Sequence, residues 1–229
     1  MGTLEPVRLD PINLRWDESP PDHPCADVRH TETDLALLHY LLQDLRALGR
    51  RASTRQARLS AYEPLTWTVH GLVRRLVICD PKALLQRCDR RIVGFLGNRR
   101  STHEAQRVDT AELDVIGEFP SFPGIISYSS LELVDDQWVN LVVHTEDSDR
   151  MEWRHSEVHI EAAEQLAPSV YHDIRIHNGR IPDGPIGSGT IMIESTKYFD
   201  YDSNPTWHAI RPVFPSSPVF PIDTAEAPT

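Results

Sequence analysis

Residues 90–202 of this 229-residue sequence predict an α+β fold, with strands and helices in the order β-α-β-β-α-β and both helices on one sheet face. Two observations carry the expectation. At Arg90 a short apolar run replaces polar, helical texture, and farther on two apolar runs flank the acidic turn Val134-Asp135-Asp136-Gln137. The chain then divides into a proline-rich arm (1–30), a mainly helical extension (31–89), the α+β domain (90–202) and a proline-rich tail (203–229).

The elements follow in order. Pro6, Pro11, Pro20, Pro21 and Pro24 punctuate an arm without periodicity, suited to wrapping a neighbour. A helix is expected over 31–49, capped by Thr31 or Thr33, with Leu38, Leu41, Leu42 and Leu45 as its apolar stripe and Gly49 as its stop. His39 within it is structural filler. Residues 50–64 are basic and polar. Residues 65–79 and 81–87 read as two short helical pieces, although the β-branched run at 72–78 leaves a strand open. Residues 91–97 make a buried strand. Asp109-Thr110-Ala111-Glu112 has capping-box spacing and opens a helix to about Phe119. Residues 124–133 and 138–145 form a hairpin. A second helix runs from Ser148 or Asp149 to about Leu166, stopped by Pro168. Residues 170–177 alternate as an extra edge strand or extended segment closed by an Asn178-Gly179 turn, and 190–198 form the last strand.

Composition narrows the function classes. Thirty-four acidic residues against 23 basic ones give a net charge of -11, which repels phosphate backbones and disfavours nucleic acid as a partner. No apolar run approaches the ~20 residues of a membrane span. Cys25, Cys79 and Cys88 are odd in number and lack CxxC spacing, against both a disulfide framework and a thiolate zinc site. The start lacks a signal-peptide pattern, and a reduced cytoplasmic protein is expected.

The strand at 138–145 holds the candidate chemistry. Side chains alternate along a strand, so Val139, Leu141 and Val143 share one face and should pack under the helices. Trp138, Asn140, Val142 and His144 share the other, a mixture that suits a ligand cavity or a sheet-to-sheet interface. His155 and His159 lie four apart, so on a helix they stack. That spacing fits two metal ligands, with His144, His172 or His177 as the only nearby third; it also fits a histidine base at a cavity mouth. No phosphate loop, dinucleotide fingerprint or nucleophile elbow occurs.

The run Trp138-Val139-Asn140-Leu141-Val142-Val143, followed by Trp153-Arg154-His155-Ser156-Glu157-Val158-His159-Ile160-Glu161-Ala162, resembles the antibiotic-biosynthesis-monooxygenase group of the dimeric α+β barrel superfamily. The resemblance covers residues 90–202. It implies a ferredoxin-like half-barrel that pairs with a second copy, and a cytoplasmic enzyme of secondary metabolism. The implied reaction is cofactor-independent oxygenation of a mostly apolar or aromatic small molecule. His159 would be the base, Asn140 would orient the substrate, and Trp138, His144, Trp153, His155 and Tyr128 would contact it. The haem-degrading branch carries its iron ligand where this sequence has Ala162-Ala163. Haem would then need His155, His159 or His172, and a cofactor-free site is the expectation. A lyase, cyclase or isomerase on the same fold, haem-dependent or not, and a non-catalytic dimeric binding protein are the alternatives.

In the tail, Pro212, Pro215, Pro218 and Pro221 recur every third residue, the period of polyproline II, with Phe214 and Phe220 between them. An extended segment lying on the surface or on a partner subunit is expected there, with a disordered proline-rich end as the alternative.

Overall fold

The computed structural model describes residues 10–56, 58–69, 72–101, 105–147 and 153–213. Its strands are β1 (Ile12–Asn13), β2 (Leu65–Val69), β3 (Leu72–Ile78), β4 (Arg90–Arg99), β5 (Ile125–Glu132), β6 (Gln137–His144), β7 (Tyr171–Ile181), β8 (Met192–Asp200) and β9 (Trp207–Pro212). They form one mixed sheet ordered β1-β9-β8-β7-β4-β6-β5-β3-β2, antiparallel except for the β1–β9 pair. The helices are α1 (His30–Ser53), α2 (Pro81–Leu84), α3 (Ala105–Glu118), α4 (Glu157–Glu161) and α5 (Ala167–Val170), with a π-helical turn over Ala162–Leu166 joining the last two.

The β-α-β-β-α-β order holds, but its closing strand is β7, the segment expected to be an extra edge. β7 pairs with β4 along its length, which places four strands as β7-β4-β6-β5. The strand expected to close the unit is β8, one place farther out. Asn178-Gly179 is a bulge within β7 rather than a turn. There, a side chain on Gly179 would strike the Met192 carbonyl.

The sheet has two covered faces. On one, α3, α4 and α5 pack across its middle: Ile116 and Phe119 meet Val77, Ile125, Tyr128 and Val142, while Val108, Ala167 and Val170 meet Trp138 and Ile174. On the other lies α1. Its stripe Leu38, Leu41, Leu42 and Leu45 is fully buried against Ile78, Ile92, Leu96, Val139, Leu141, Val143 and Ile193. Val139, Leu141 and Val143 therefore pack under a helix as expected, but it is α1 from the extension. The Trp138–His144 set is the one beneath α3 to α5. A half-barrel was expected to pair through its open face, and here α1 of the same chain occupies that face. Gly94 makes the close approach possible, because a Cβ there would collide with Leu38. Gly49 does the same against Ile186, so it lies inside α1 and does not stop it.

The extension also supplies two strands, β2 and β3, where mainly helix was expected. β3 alternates: Leu76 and Ile78 face α1, while Val77, and Cys79 just past the strand, face α3. The arm wraps its own chain. Arg211 of β9 is buried and donates to the Tyr198 hydroxyl and to the carbonyls of Glu18 and Ala26. His23 bonds Asp200 at 2.8 Å and stacks on Trp207. The proline-rich stretch of the tail lies outside the described residues from position 214 onward.

One ionic cluster is sealed inside the α1 side. Asp34 accepts from Arg175 Nε at 2.6 Å and from its second nitrogen at 2.9 Å, and bonds His177 Nε2 at 2.9 Å. His177 Nδ1 reaches Thr196 Oγ1 at 2.8 Å. Burial works to raise the Asp34 pKa, but the bonds from His177 and Arg175 outweigh it and hold the carboxyl below its ordinary value.

Candidate functional site

Ser156 decides the geometry around the expected catalytic helix. Its backbone is extended, and its hydroxyl accepts from the His159 N–H at 3.0 Å, which makes it the N-cap of α4. The Ser-x-x-His spacing thus has a local cause. It also places His155 before the helix, exposed, so the expected stacking of His155 and His159 on one helical face does not occur. Asp109 likewise lies within α3, which begins at Ala105, and instead of capping the helix it bonds Arg75 at 2.9 Å.

The structure gathers four of the expected site residues. Trp153 lies 4.6 Å from His159 and 5.9 Å from His144, centroid to centroid. Phe119 sits 6.0 Å from Trp153 and 5.5 Å from Tyr128. His144 is wholly buried, and His159 is half-buried. Burial, with the Arg154 charge, pushes the His159 pKa down to about 4, so its imidazole is neutral at pH 7. The buried Trp153 Nε1 meets no acceptor among the described residues.

Trp138 belongs to a neighbouring cluster with Val108, Ala167, Val170 and Tyr171, and Arg99 lies over its ring. Asn140, one step along β6, is half-buried and lies opposite Phe95 of β4 and Ser130 of β5. For metal binding, the described residues contain no group of three or more histidine, cysteine, aspartate or glutamate side chains placed to share an ion. Of the candidate third ligands, His177 is committed to Asp34 and His172 to Asp202 at 2.7 Å.

Sequence reasoning missed the polar core beneath α3. Tyr128 donates its hydroxyl to Glu112 Oε1 at 2.8 Å, and Arg75 pairs with both Glu112 and Asp109. Arg75 and Glu112 are buried. Burial raises the Tyr128 pKa, against the opposing Arg75 charge, so the phenol stays protonated. The available signal was Arg74-Arg75 inside an apolar run. On a strand, one of the two must enter each covered face, and each then needs a carboxylate: Asp44 for Arg74, Glu112 for Arg75.

Outside this core, α3 and α4 part to leave a groove of about 450 Å³, whose walls include Ala111, Asp114, Val158, Glu161, Ala162 and Leu166. Leu113 is 47 % and Ile160 38 % exposed on the same two helices. The π-helical turn begins at Ala162, on the groove wall. Such turns widen a helix locally and recur at functional sites. Asp109, Asp114, Glu118, Glu157, Glu161 and Glu164 reach the surface of this layer, against Arg107 and Arg154.

No helix among the described residues is long and apolar enough to cross a membrane. No protein-family model and no curated protein matches the chain. Among solved structures, the chain is similar to the crystal structure of protein SO0527 from Shewanella oneidensis, at 9 % identity over 42 % of this chain and 91 % of that one, with a TM-score of 0.37. A likeness at that score carries no argument about fold or function.

Proposed function

We propose that the chain is a non-catalytic binding protein that uses the groove between α3 and α4 to hold a basic, apolar-tipped segment of a partner protein. The β-α-β-β-α-β unit, with its β7-β4-β6-β5 order, fits the ferredoxin-like arrangement. In a paired half-barrel the substrate pocket lies on the sheet's open face. The single observation that carries the proposal is that this face is filled by Leu38, Leu41, Leu42 and Leu45 of the chain's own α1. The groove combines an apolar centre with an acidic rim, the anatomy of an interface rather than of an enclosed reaction site.

A peptide selection on the full chain tests this. Selected sequences should carry Lys or Arg flanking an apolar or aromatic residue, and Ala162→Trp, which fills the groove, should abolish their binding. Binding that survives Ala162→Trp would overturn the proposal.

One observation favours a second function. Trp153, His159, His144 and Tyr128 do converge, so oxygenation of a small aromatic molecule, with His159 as base, remains a coherent alternative. With its pKa near 4, His159 is a weak base and would need a substrate of unusual acidity. Dioxygen uptake with 1-naphthol that is lost in His159→Gln would favour this alternative.

A further inference from the structure

The positive charge of this acidic chain is unevenly placed. Arg50, Arg51, Arg55 and Arg58 follow one another at the end of α1, and none has an ion-pair partner among the described residues. A cleft of about 730 Å³ opens beside the first of them, Arg50, between the last turns of α1 and the loop at 182–189. Arg46, Arg50 and Arg87 line it, with the hydroxyl-bearing side chains of Ser53, Thr54 and Ser188.

Its walls are fixed before any ligand arrives. Arg46 is 8 % exposed and donates to the carbonyls of Pro185, at 3.0 Å, and Gly189, which ties α1 to the loop. Arg87 grips the Asp183 carboxylate through two nitrogens. Asp183 and Gly184 turn the loop with φ of 61° and 74°. Of the other buried arginines, Arg74, Arg75, Arg99 and Arg175 each meet a carboxylate, whereas Arg90 and Arg211 bond carbonyl and hydroxyl oxygens. Arg46 is of the second kind and meets carbonyl oxygens. Its burial, and the charge of Arg50, pull its pKa below the ordinary value, so the positive charge there is not compensated.

Arginines at the end of a helix also have a plain structural use, since a helix C-terminus carries about half a negative charge. The balance decides against that use alone. Three guanidiniums line the cleft, against the Asp183 carboxylate and that half charge, and the surplus is about one and a half positive charges. The Arg50 guanidinium, which has no ion-pair partner among the described residues, presents several N–H donors on one plane and so suits the several oxygens of a phosphate. The volume is that of a small-molecule site rather than of a bare ion.

We infer that the cleft between the end of α1 and the 182–189 loop is a binding site for a small phosphate-bearing anion, with Arg50 as the guanidinium that reaches it and Arg46 and Arg87 as the charges that shape its walls. This site lies apart from the α3–α4 groove and does not depend on it.

Calorimetric titration of the full chain with inorganic pyrophosphate, at constant ionic strength set with chloride, tests the inference. Saturable binding is expected. Arg50→Glu should weaken it at least about tenfold, the loss of one charge-assisted hydrogen bond, and Arg50→Lys should keep part of it. Arg15→Glu makes the same charge change on an exposed residue outside the cleft and should leave binding unchanged. Unaltered circular dichroism and melting temperature will show that each variant folds. Absence of saturation at about 10 mM, a concentration at which even sub-millimolar affinity would be evident, would overturn the site. So would equal losses in Arg50→Glu and Arg15→Glu, which would mean diffuse attraction only.

Discussion

The two faces of the sheet are both covered, yet by different means. The α1 face is a broad aliphatic layer with one polar island, Asp34–Arg175–His177–Thr196, in which the Asp34 carboxylate receives bonds from both Arg175 and His177. The α3–α5 face is aromatic and polar, with Tyr128, Trp138, His144 and Trp153 against the sheet, an Arg75–Glu112 pair below α3, and a groove where α3 and α4 part. The first face is built to hold the fold. The second leaves a seam between α3 and α4 open to solvent.

The largest expected effect comes from the polar island. Asp34→Asn removes the carboxylate that neutralises a buried guanidinium, and the variant should lose about 3–5 kcal/mol in denaturant unfolding. A loss near that of an exposed ion pair, below about 1 kcal/mol, would mean the island is not sealed.

Such an island could not be read from the sequence, whereas much around it could. The apolar stripe of α1, the 91–97 strand and the hairpin across 134–137 were legible because periodicity of 3.6 or 2 is local. The partner of each face was not. Asp34 lies 141 residues from Arg175 in sequence, and no local pattern links them. The same distance problem hid the coverage by α1. Val139, Leu141 and Val143 announce a buried face without saying which helix buries it. At the candidate site, Tyr128, His144, Trp153 and His159 were legible as an aromatic and imidazole set. The Glu112 and Arg75 side chains beneath them required the fold.

A second prediction concerns the closeness of α1. Gly94→Ala places a methyl group against Leu38 and should cost about 1–3 kcal/mol by overpacking. Leu38→Ala alone should cost about 2–5 kcal/mol by leaving a cavity. The double variant should lose less than the sum, because each change relieves the other. Strict additivity in thermal or denaturant unfolding would place the two side chains out of contact.

On the other face, pH gives a finer comparison. His159 has its folded pKa lowered to about 4, from an unfolded value of about 6.5. The unfolded chain therefore binds more protons between those values. Stability from this group is present above about 6.5 and is lost as pH falls toward 4. His159→Gln should flatten the stability profile across that window. Asp34, whose folded pKa is depressed, should contribute no slope until pH falls below about 3.9. An unchanged profile in His159→Gln would show that the ring is not buried in solution.

The smallest effect on stability is expected on the exposed surface of α3 outside the residues that line the groove. Leu113→Lys alters an exposed side chain and should shift unfolding by no more than about 0.5 kcal/mol. It should nonetheless weaken the binding of basic peptides, since it removes apolar area and adds a like charge.

Native-state hydrogen exchange of the α1 amides tests the central claim most directly, because that claim makes α1 the permanent cover of one sheet face. The amides of Leu41, Leu42 and Leu45 should exchange only through global unfolding, with protection equal to that of Val139 and Leu141 in β6. Exchange of α1 at a markedly lower free energy, while β4 and β6 stay protected, would mean that the helix leaves the sheet and the face can open. That result would contradict the account and return the face to a pocket or to a second copy of the chain.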